Sequence, residues 1–540
     1  MAAANRFQHV GARRRLGLLG HMGHALWLIA VVVCNSEASG AEKQAAEKRP
    51  PNLLFLMTDQ HHYQALGSAG NTIVKTPHLD RLASGGTRFV NSFCVVPYCS
   101  PTRAAIVTGT YPSSRGLGRN IAIGPNRRKD PLRLREPCET YLHRLAALGY
   151  HCHQLGKWHL GDPAELSCFP DGRQDEDIPN QRTQQLKESA GDKRFDDGPR
   201  PDETPRIEDI WMQSYVAVAY RRLHEDHPNL PPRIGLIGRC ALKPEFWHES
   251  VLADYCIELL KRHRDEPFAI TYSISPPHEP FIAPARFYDM YDASRMPLPL
   301  TWDDRPSLWA KTTSSRLGAI YGDRGFREYL RCYYARVTLA DECIGRILKS
   351  LDELGLAERT LVVFTSDHGN MLGQHGMMEK SSGAFYDDLM RVPLIARFPG
   401  RIPAGTTCAA TASSVDLAPT ILDCLGAEAL PGAHGRSLLP FATGHVDDDR
   451  PAFGERGEPD KAGAARMIRT RRWKLCLEPR GQKELFDLQH DPAEIHNLAD
   501  DAAMAPVVRR LTTQLLDHMR SVGDVAEGKF SASTGGRSDP

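Results

Sequence analysis

Four apolar runs, each ending in residues able to do chemistry, constrain this chain more than any other feature. They read "NLLFLMTDQ", "YHCHQLGKWH", "FAITYSISPPHEP" and "LVVFTSDHG". Runs this continuously apolar fit parallel strands covered on both faces of a sheet. Helical patterns separate them. Thr76-Pro77 opens one at "TPHLDRLASGG", Glu139 to Leu148 forms a second closed by Gly149, and Val337 to Leu354 forms a third that runs to Gly355. Alternating strands and helices predict an α/β fold, in which ligands gather at the carboxyl ends of the strands. The polar tips of the four runs then meet in space, although the outermost lie hundreds of residues apart.

The 540 residues, 41% hydrophobic and 25% charged, suffice for one large domain plus a smaller one. A formal net charge of +1 leaves no bulk electrostatic footprint, so no nucleic-acid partner is expected and any anion must be met locally. Residues 1–40 have the layout of an export segment: Arg13 to Arg15, an apolar stretch to Cys34, then the small residues Ala38, Ser39 and Gly40. The expectation is an exported bacterial protein, periplasmic or extracellular, with no stable membrane span in the mature chain. Residues 51–450 read as the catalytic domain. Within it, 168–205 ("DGRQDEDIPNQRTQQLKESAGDKRFDDGPRPDETP" and its surroundings) carries too few apolar groups to offset ordering entropy and reads as a polar surface insertion. Residues 451–530 change pattern, with "ARMIRTRRWKLCLEP" and "KELFDLQHDPAEIHNLADD" as short strands and a turn before a closing helix through Val507, Leu511 and Leu515. This predicts a C-terminal α+β subdomain followed by a loose tail, 531–540. The 13 cysteines form no dense framework, and one or two disulfides are compatible with export but not assignable from spacing.

Asp59 and Gln60 follow one predicted strand, and Asp367 and His368 follow another. Two carboxylates and an amide oxygen suit a hard divalent cation such as Ca²⁺ or Mg²⁺, while the imidazole also admits Mn²⁺. Either pair alone could merely cap a turn. Cys99, in "VVPYCSPTRAAIVTGTYP", precedes a helix start with Ser100 as N-cap and Pro101 as first helical residue, where exposed N–H groups favour an anion. Arg103 would point toward the same anion. A thiol so placed could be a nucleophile of depressed pKa. Lys157, His159, His278 and Lys380 occupy the remaining tips and loops, each with a plain structural alternative as a packed or solvated side chain.

"CSPTRAAIVTG" resembles the first signature of the type I sulfatases, of the alkaline phosphatase-like superfamily. "GYHCHQLGKWH" is similar to the second, and "TDQ", "PPHEPF" and "SDHGNMLGQHGMMEK" match further family motifs in the same order. The resemblance implies a three-layer sandwich with a mixed, mostly parallel sheet and a smaller C-terminal subdomain. It also implies that a formylglycine-generating maturation enzyme oxidises Cys99 to an aldehyde, whose hydrate attacks sulfur with one hydroxyl and expels the product with the other. Asp59, Gln60, Asp367 and His368, with residue 99, would hold the cation, most often Ca²⁺. Arg103 would orient the hydrate, Lys157 and Lys380 would grip sulfate, His159 would be the base and His278 the acid, while His375 stays outside this set. Tyr98, Cys152 and Leu155 depart from the usual residue types. Gln60 replaces a second acid, as in the branch that includes phosphonate monoester hydrolases and phosphodiesterases. The implied activity is hydrolysis of an organic sulfate ester, on a sulfated small molecule or polysaccharide. A phosphoryl-ester hydrolase with the same nucleophile and an inactive binder of sulfated glycans are the alternatives.

Overall fold

Alternate residues of the first strand, β1 (Asn52–Asp59), enter two different cores. Leu54 and Leu56 join one apolar cluster and Leu53, Phe55 and Met57 the other, so a layer of helices covers each face of the sheet. The computed structural model describes residues 49–533 apart from 190–211, 241, 307–311, 381–383, 444–449 and 459–462. The export segment predicted over 1–40 and the end of the predicted tail lie outside the described residues.

Besides β1, the central sheet contains β2 (Thr87–Phe93), β3 (His151–Gly156), β5 (Phe268–Pro277), β7 (Thr360–Ser366), β8 (Leu394–Arg397) and β9 (Thr406–Ser413); β4 (Ile237–Cys240) and β6 (Phe281–Pro284) form a small parallel pair. The order is β3-β5-β1-β7-β8-β2-β9. The four apolar runs are therefore four neighbouring parallel strands, as expected. β8 runs antiparallel to both β7 and β2, which makes the sheet mixed.

The principal helices are α1 (Pro77–Ser84), α2 (Cys99–Thr108), α3 (Tyr141–Ala147), α4 (Gly172–Ser189), α5 (His248–Arg262), α6 (Thr313–Glu353), α7 (Asp387–Met390) and α8 (Leu417–Leu425). α1 and α3 match the expected helices to within a turn. α6 begins 24 residues before Val337 (at Thr313) and is interrupted at Gly322, where a φ of +58° breaks the helical path. Its first half carries polar residues among buried aromatics such as Tyr321 and Tyr329, which obscures the apolar stripe.

Two expectations are corrected. Part of the polar insertion is ordered: residues 172–189 form α4, which packs on β3 and α5 and buries Asp175 completely, while 190–205 lie outside the described residues. Its stability comes from tertiary contact rather than from apolar content. α2 begins at Cys99 rather than after Ser100, with Tyr98 in the capping position. Ser100 is occupied elsewhere, since its Oγ donates to the His159 carbonyl at 2.7 Å while its own N–H is taken by Asn120 Oδ1 at 3.0 Å.

The C-terminal part is an antiparallel sheet, β10 (Ala452–Arg456), β11 (Ala465–Arg469), β12 (Trp473–Leu477) and β13 (Lys483–Asp487), backed by α9 (Ala505–Ser521). A last helix reaches Ser533, three residues into the predicted tail. Pro51–Pro540 form one compact unit, so this part does not stand as a body of its own. Its main tie is Lys474, fully buried on β12, whose Nζ donates to the Phe385 carbonyl (2.8 Å), Asp387 Oδ1 (2.5 Å) and Glu494 Oε1 (2.6 Å). Asp387 starts α7, and the carbonyls of Asp388 and Leu389 accept from Asn370 and Gly369, directly after Asp367 and His368. The C-terminal sheet thus props the loop that carries half of the candidate metal ligands. Lys474→Met leaves the buried Glu494 carboxylate without its cationic partner, while Asp387 keeps Arg469, and is expected to cost about 3–5 kcal/mol in urea unfolding.

No helix among the described residues is long and apolar enough to cross a membrane. Every described cysteine is free, and all but Cys138 are buried.

Candidate active site

β1 and β7 are adjacent and in register, with Thr58 beside Ser366, so the acid-led pairs that follow them emerge side by side. Asp59, Asp367 and His368 are fully buried, and one ligand atom from each, with Cys99 Sγ, lies within 4.8 Å of the others. His368 Nδ1–H donates to the Gly369 carbonyl at 2.9 Å, which leaves the lone pair on Nε2. That Nε2 stands 3.8 Å from both Asp59 Oδ1 and Asp367 Oδ1. The Gln60 amide is fully buried, and neither its Oε1 nor its Nε2 has a hydrogen-bond partner among the described residues. An orphaned buried amide normally costs on the order of 1–3 kcal/mol. Two carboxylates, one amide oxygen and one imidazole nitrogen are a donor set for a divalent cation; of the expected ligands, Asp59, Cys99, Asp367 and His368 are brought together, and Gln60 adjoins them through its N–H, which donates to Asp367 Oδ1 at 3.1 Å.

Arg103 is nearly fully buried and fastens the two carboxylates. Its Nε donates to Asp367 Oδ2 at 2.9 Å and its Nη2 to Asp59 Oδ2 at 3.2 Å, while Nη1 reaches the Lys157 carbonyl at 2.6 Å and Ser273 Oγ at 2.9 Å. Its contacts are thus to the acids rather than to the thiol. Burial and the Cys99 thiolate push Asp59 up, but Lys157, His278 and Arg103 outweigh them and hold it well below the usual carboxylate range. Burial and the neighbouring Asp59 push Asp367 up.

Cys99 lies in the first turn of α2. Its Sγ is 3.4 Å from His368 Nε2, 3.4 Å from Lys157 Nζ and 3.5 Å from Lys380 Nζ. Burial alone would raise the thiol, yet Lys157, Lys380 and His368 bring it far below its ordinary value. Lys157 also pairs with Asp59. It sits there because Gly156 turns the chain with a φ of +78° at a point where a Cβ would collide with the Ser273 carbonyl.

The two histidines differ in tautomer. His159 Nε2–H donates to the Ile121 carbonyl at 3.0 Å, so the neutral ring carries its lone pair on Nδ1. His278 Nδ1–H faces the Glu279 carbonyl (2.9 Å) and the Glu279 carboxylate (3.1 Å), and its Nε2 stands 2.8 Å from Lys380 Nζ. The first ring is arranged to accept a proton at Nδ1, and the second lies between the Glu279 carboxylate and the Lys380 ammonium. Gln60, His159 and Glu379, beside Lys380, all hold left-handed backbone, which non-glycine residues adopt at a cost. His375 lies apart, stacked on Tyr386 with its centroid 4.0 Å away and bonded to Asp304.

Sequence reasoning missed Ser273, Asn120 and Glu279. Ser273 hides as one polar residue inside an apolar strand and Asn120 in a loop without pattern. Glu279 was visible in "PPHEPF", adjacent to the histidine it supports.

The Sulfatase family model matches residues 51–427, and the model for the C-terminal region of N-sulphoglucosamine sulphohydrolase matches 373–521. The chain is 29% identical over 500 residues to the ulvan-active sulfatase of Formosa agariphila, covering 91% of this chain and 85% of that one. It is 28% identical over 534 residues to the N-acetylglucosamine-6-O-sulfatase of Bacteroides thetaiotaomicron, covering 91% and 90%. Among solved structures, the phosphonate monoester hydrolase of Silicibacter pomeroyi superposes with a TM-score of 0.69 at 26% identity, over 88% of this chain and 96% of that one. The matched stretch contains every candidate site residue, from Asp59 to Lys380, and the sheet order places them around one centre: the chain belongs to the sulfatase family of the alkaline phosphatase-like superfamily, enzymes that hydrolyse sulfate esters.

Proposed function

We propose that this chain hydrolyses the sulfate ester of a sulfated carbohydrate, using a formylglycine made from Cys99 and a divalent cation, calcium first among the candidates, held by Asp59, Gln60, Asp367 and His368. The observation that carries this reading is the convergence of Lys157, Lys380, Asp59, Asp367 and His368 on residue 99, with His278 against Lys380. The carbohydrate substrate is supported by the printed names of the two relatives above. A cavity of 270 Å³ adjoins Lys157 and His159 and is walled by Arg127, Glu176, Asn180 and His248, two of these from α4. This supports a part for the insertion in choosing the alcohol.

When present, the cation supplies Lewis acidity to a sulfate oxygen, and the oxidised side chain supplies the hydroxyl nucleophile. Lys157 and Lys380 carry positive charge to the place where the non-bridging oxygens gain negative charge. Arg103 keeps both carboxylates turned toward the centre. His159 takes a proton at Nδ1 from the side chain at position 99. His278, backed by Glu279, delivers a proton from Nε2 to the departing alcohol oxygen. Export to the periplasm or the outside, and a maturation enzyme that reads Cys99-x-Pro101-x-Arg103, complete the proposal on the strength of the sequence alone.

Parallel assays on nitrophenyl sulfate and a nitrophenyl phosphodiester test it, with a higher rate expected on the sulfate; a preference for the phosphodiester would reverse the assignment. His278→Ala is expected to lower turnover of an alkyl or sugar sulfate by roughly 10²- to 10⁴-fold and that of the nitrophenyl ester far less, because that leaving group needs no proton. Equal losses on both would remove His278 from the acid role.

A further inference from the structure

At the end of the sheet opposite the active site, three lone-pair donors meet. His151 opens β3, His263 follows α5, and Glu266 leads into β5. His263 Nδ1 stands 3.0 Å and His151 Nε2 3.2 Å from Glu266 Oε2, and one ligand atom of each residue lies within 4.8 Å of the others.

A buried chain backs this group. Asp175 accepts from His153 Nδ1 with both carboxylate oxygens, at 3.1 Å each, and His153 Nε2 stands 3.2 Å from His263 Nε2. His263 thus has one ring nitrogen fixed from behind and turns the other, Nδ1, to the Glu266 carboxylate.

We propose that His151, His263 and Glu266 form a second divalent-metal site, distinct from the catalytic one, that takes a borderline first-row ion, with zinc as the expected occupant. Two imidazole nitrogens and one carboxylate oxygen are a donor set for that ion class and a poor one for calcium. The support behind the ligands is already built. A metal-bound histidine usually has its other ring nitrogen hydrogen-bonded to a fixed partner, and here His263 Nε2 stands 3.2 Å from Nε2 of His153, which is held in turn by Asp175, both buried. His151, with its side chain 42% exposed, gives an ion a way in, and its ring is stacked on His263 with centroids 4.3 Å apart. The ion would tie the first residue of β3 to the turn between α5 and β5, so its effect falls on stability rather than turnover. The inference does not rest on the sulfatase reading.

Equilibrium dialysis of the mature protein against zinc, in calcium-saturated buffer, compares wild type with His151→Ala and Glu266→Gln. One zinc per chain is expected in the wild type, with affinity at least about tenfold lower in each variant and turnover on a sulfate ester unchanged. A zinc-dependent rise in Tm is expected in the wild type and lost in His151→Ala. Equal zinc binding by all three proteins, or no zinc bound by the wild type at micromolar concentrations, would overturn the proposal.

Discussion

Cys99→Ala lowers turnover of a sugar sulfate by at least about 10⁴-fold while leaving Tm within a few degrees of wild type. The size of the kinetic effect follows from the side chain's position. Cys99 is 1% exposed, in the first turn of α2, with Lys157, Lys380 and His368 all within 3.5 Å of its sulfur. A structural cysteine in an apolar pocket would have no such company, and burial raises the thiols of Cys152 and Cys256 far above their ordinary range. Removing a nucleophile takes with it nearly all that its partners do together, so the loss is expected to match that from removing several of them at once. The small stability effect follows because only one heavy atom leaves the core. Steady-state kinetics and a thermal melt on the same preparation check both halves, and retention of a tenth of the wild-type rate would contradict the role given to this residue.

Asp367→Asn comes second, with an expected loss of at least about 10³-fold in turnover and a Ca²⁺ dissociation constant raised at least about tenfold. Asp367 and Asp59 share the Arg103 guanidinium from one side, and their Oδ1 atoms face His368 Nε2 from the other. An asparagine keeps the shape and removes one of two negative charges that a cation would meet. It also leaves Arg103 with a single carboxylate, so metal content should be read together with turnover. Isothermal titration with calcium after chelation gives that readout. Unchanged affinity alongside lost activity would place Asp367 outside the ligand set.

Much of this was legible in the chain because the catalytic elements are regular. Buried parallel strands must be apolar throughout, so "NLLFLMTD" and "TLVVFTS" announce themselves, and the polar residues after them mark the sheet edge where ligands bind. Asp59, Gln60, Asp367 and His368 were found by that logic before any contact was known. The strands β2, β8 and β9 were not, since mixed pairing near one edge leaves four- to eight-residue segments with no continuous apolar run, as in "TTCAATAS". α4 escaped for a related reason. Its sequence is polar almost throughout, and what holds it is contact made by a few residues, Asp175 on His153 above all. The start of α2 was misplaced by two positions because Ser100 and Pro101 look like a cap and a first turn, whereas the serine hydroxyl bonds across to the His159 carbonyl. Local patterns report local preference, and the side chains that matter here are satisfied by partners far along the chain, from 22 residues for Asp175 and His153 to 264 for Arg103 and Asp367.

The claim on which the mechanism stands is the chemical identity of residue 99, and the mass spectrum of the tryptic peptide from Phe89 to Arg103 reads it directly. That peptide carries two cysteines, Cys94 and Cys99, so Cys94 serves as an internal standard. In protein produced together with a formylglycine-generating enzyme, fragmentation should show an aldehyde oxygen in place of sulfur at position 99 and an unaltered thiol at position 94. Two unaltered thiols in such material would contradict the account.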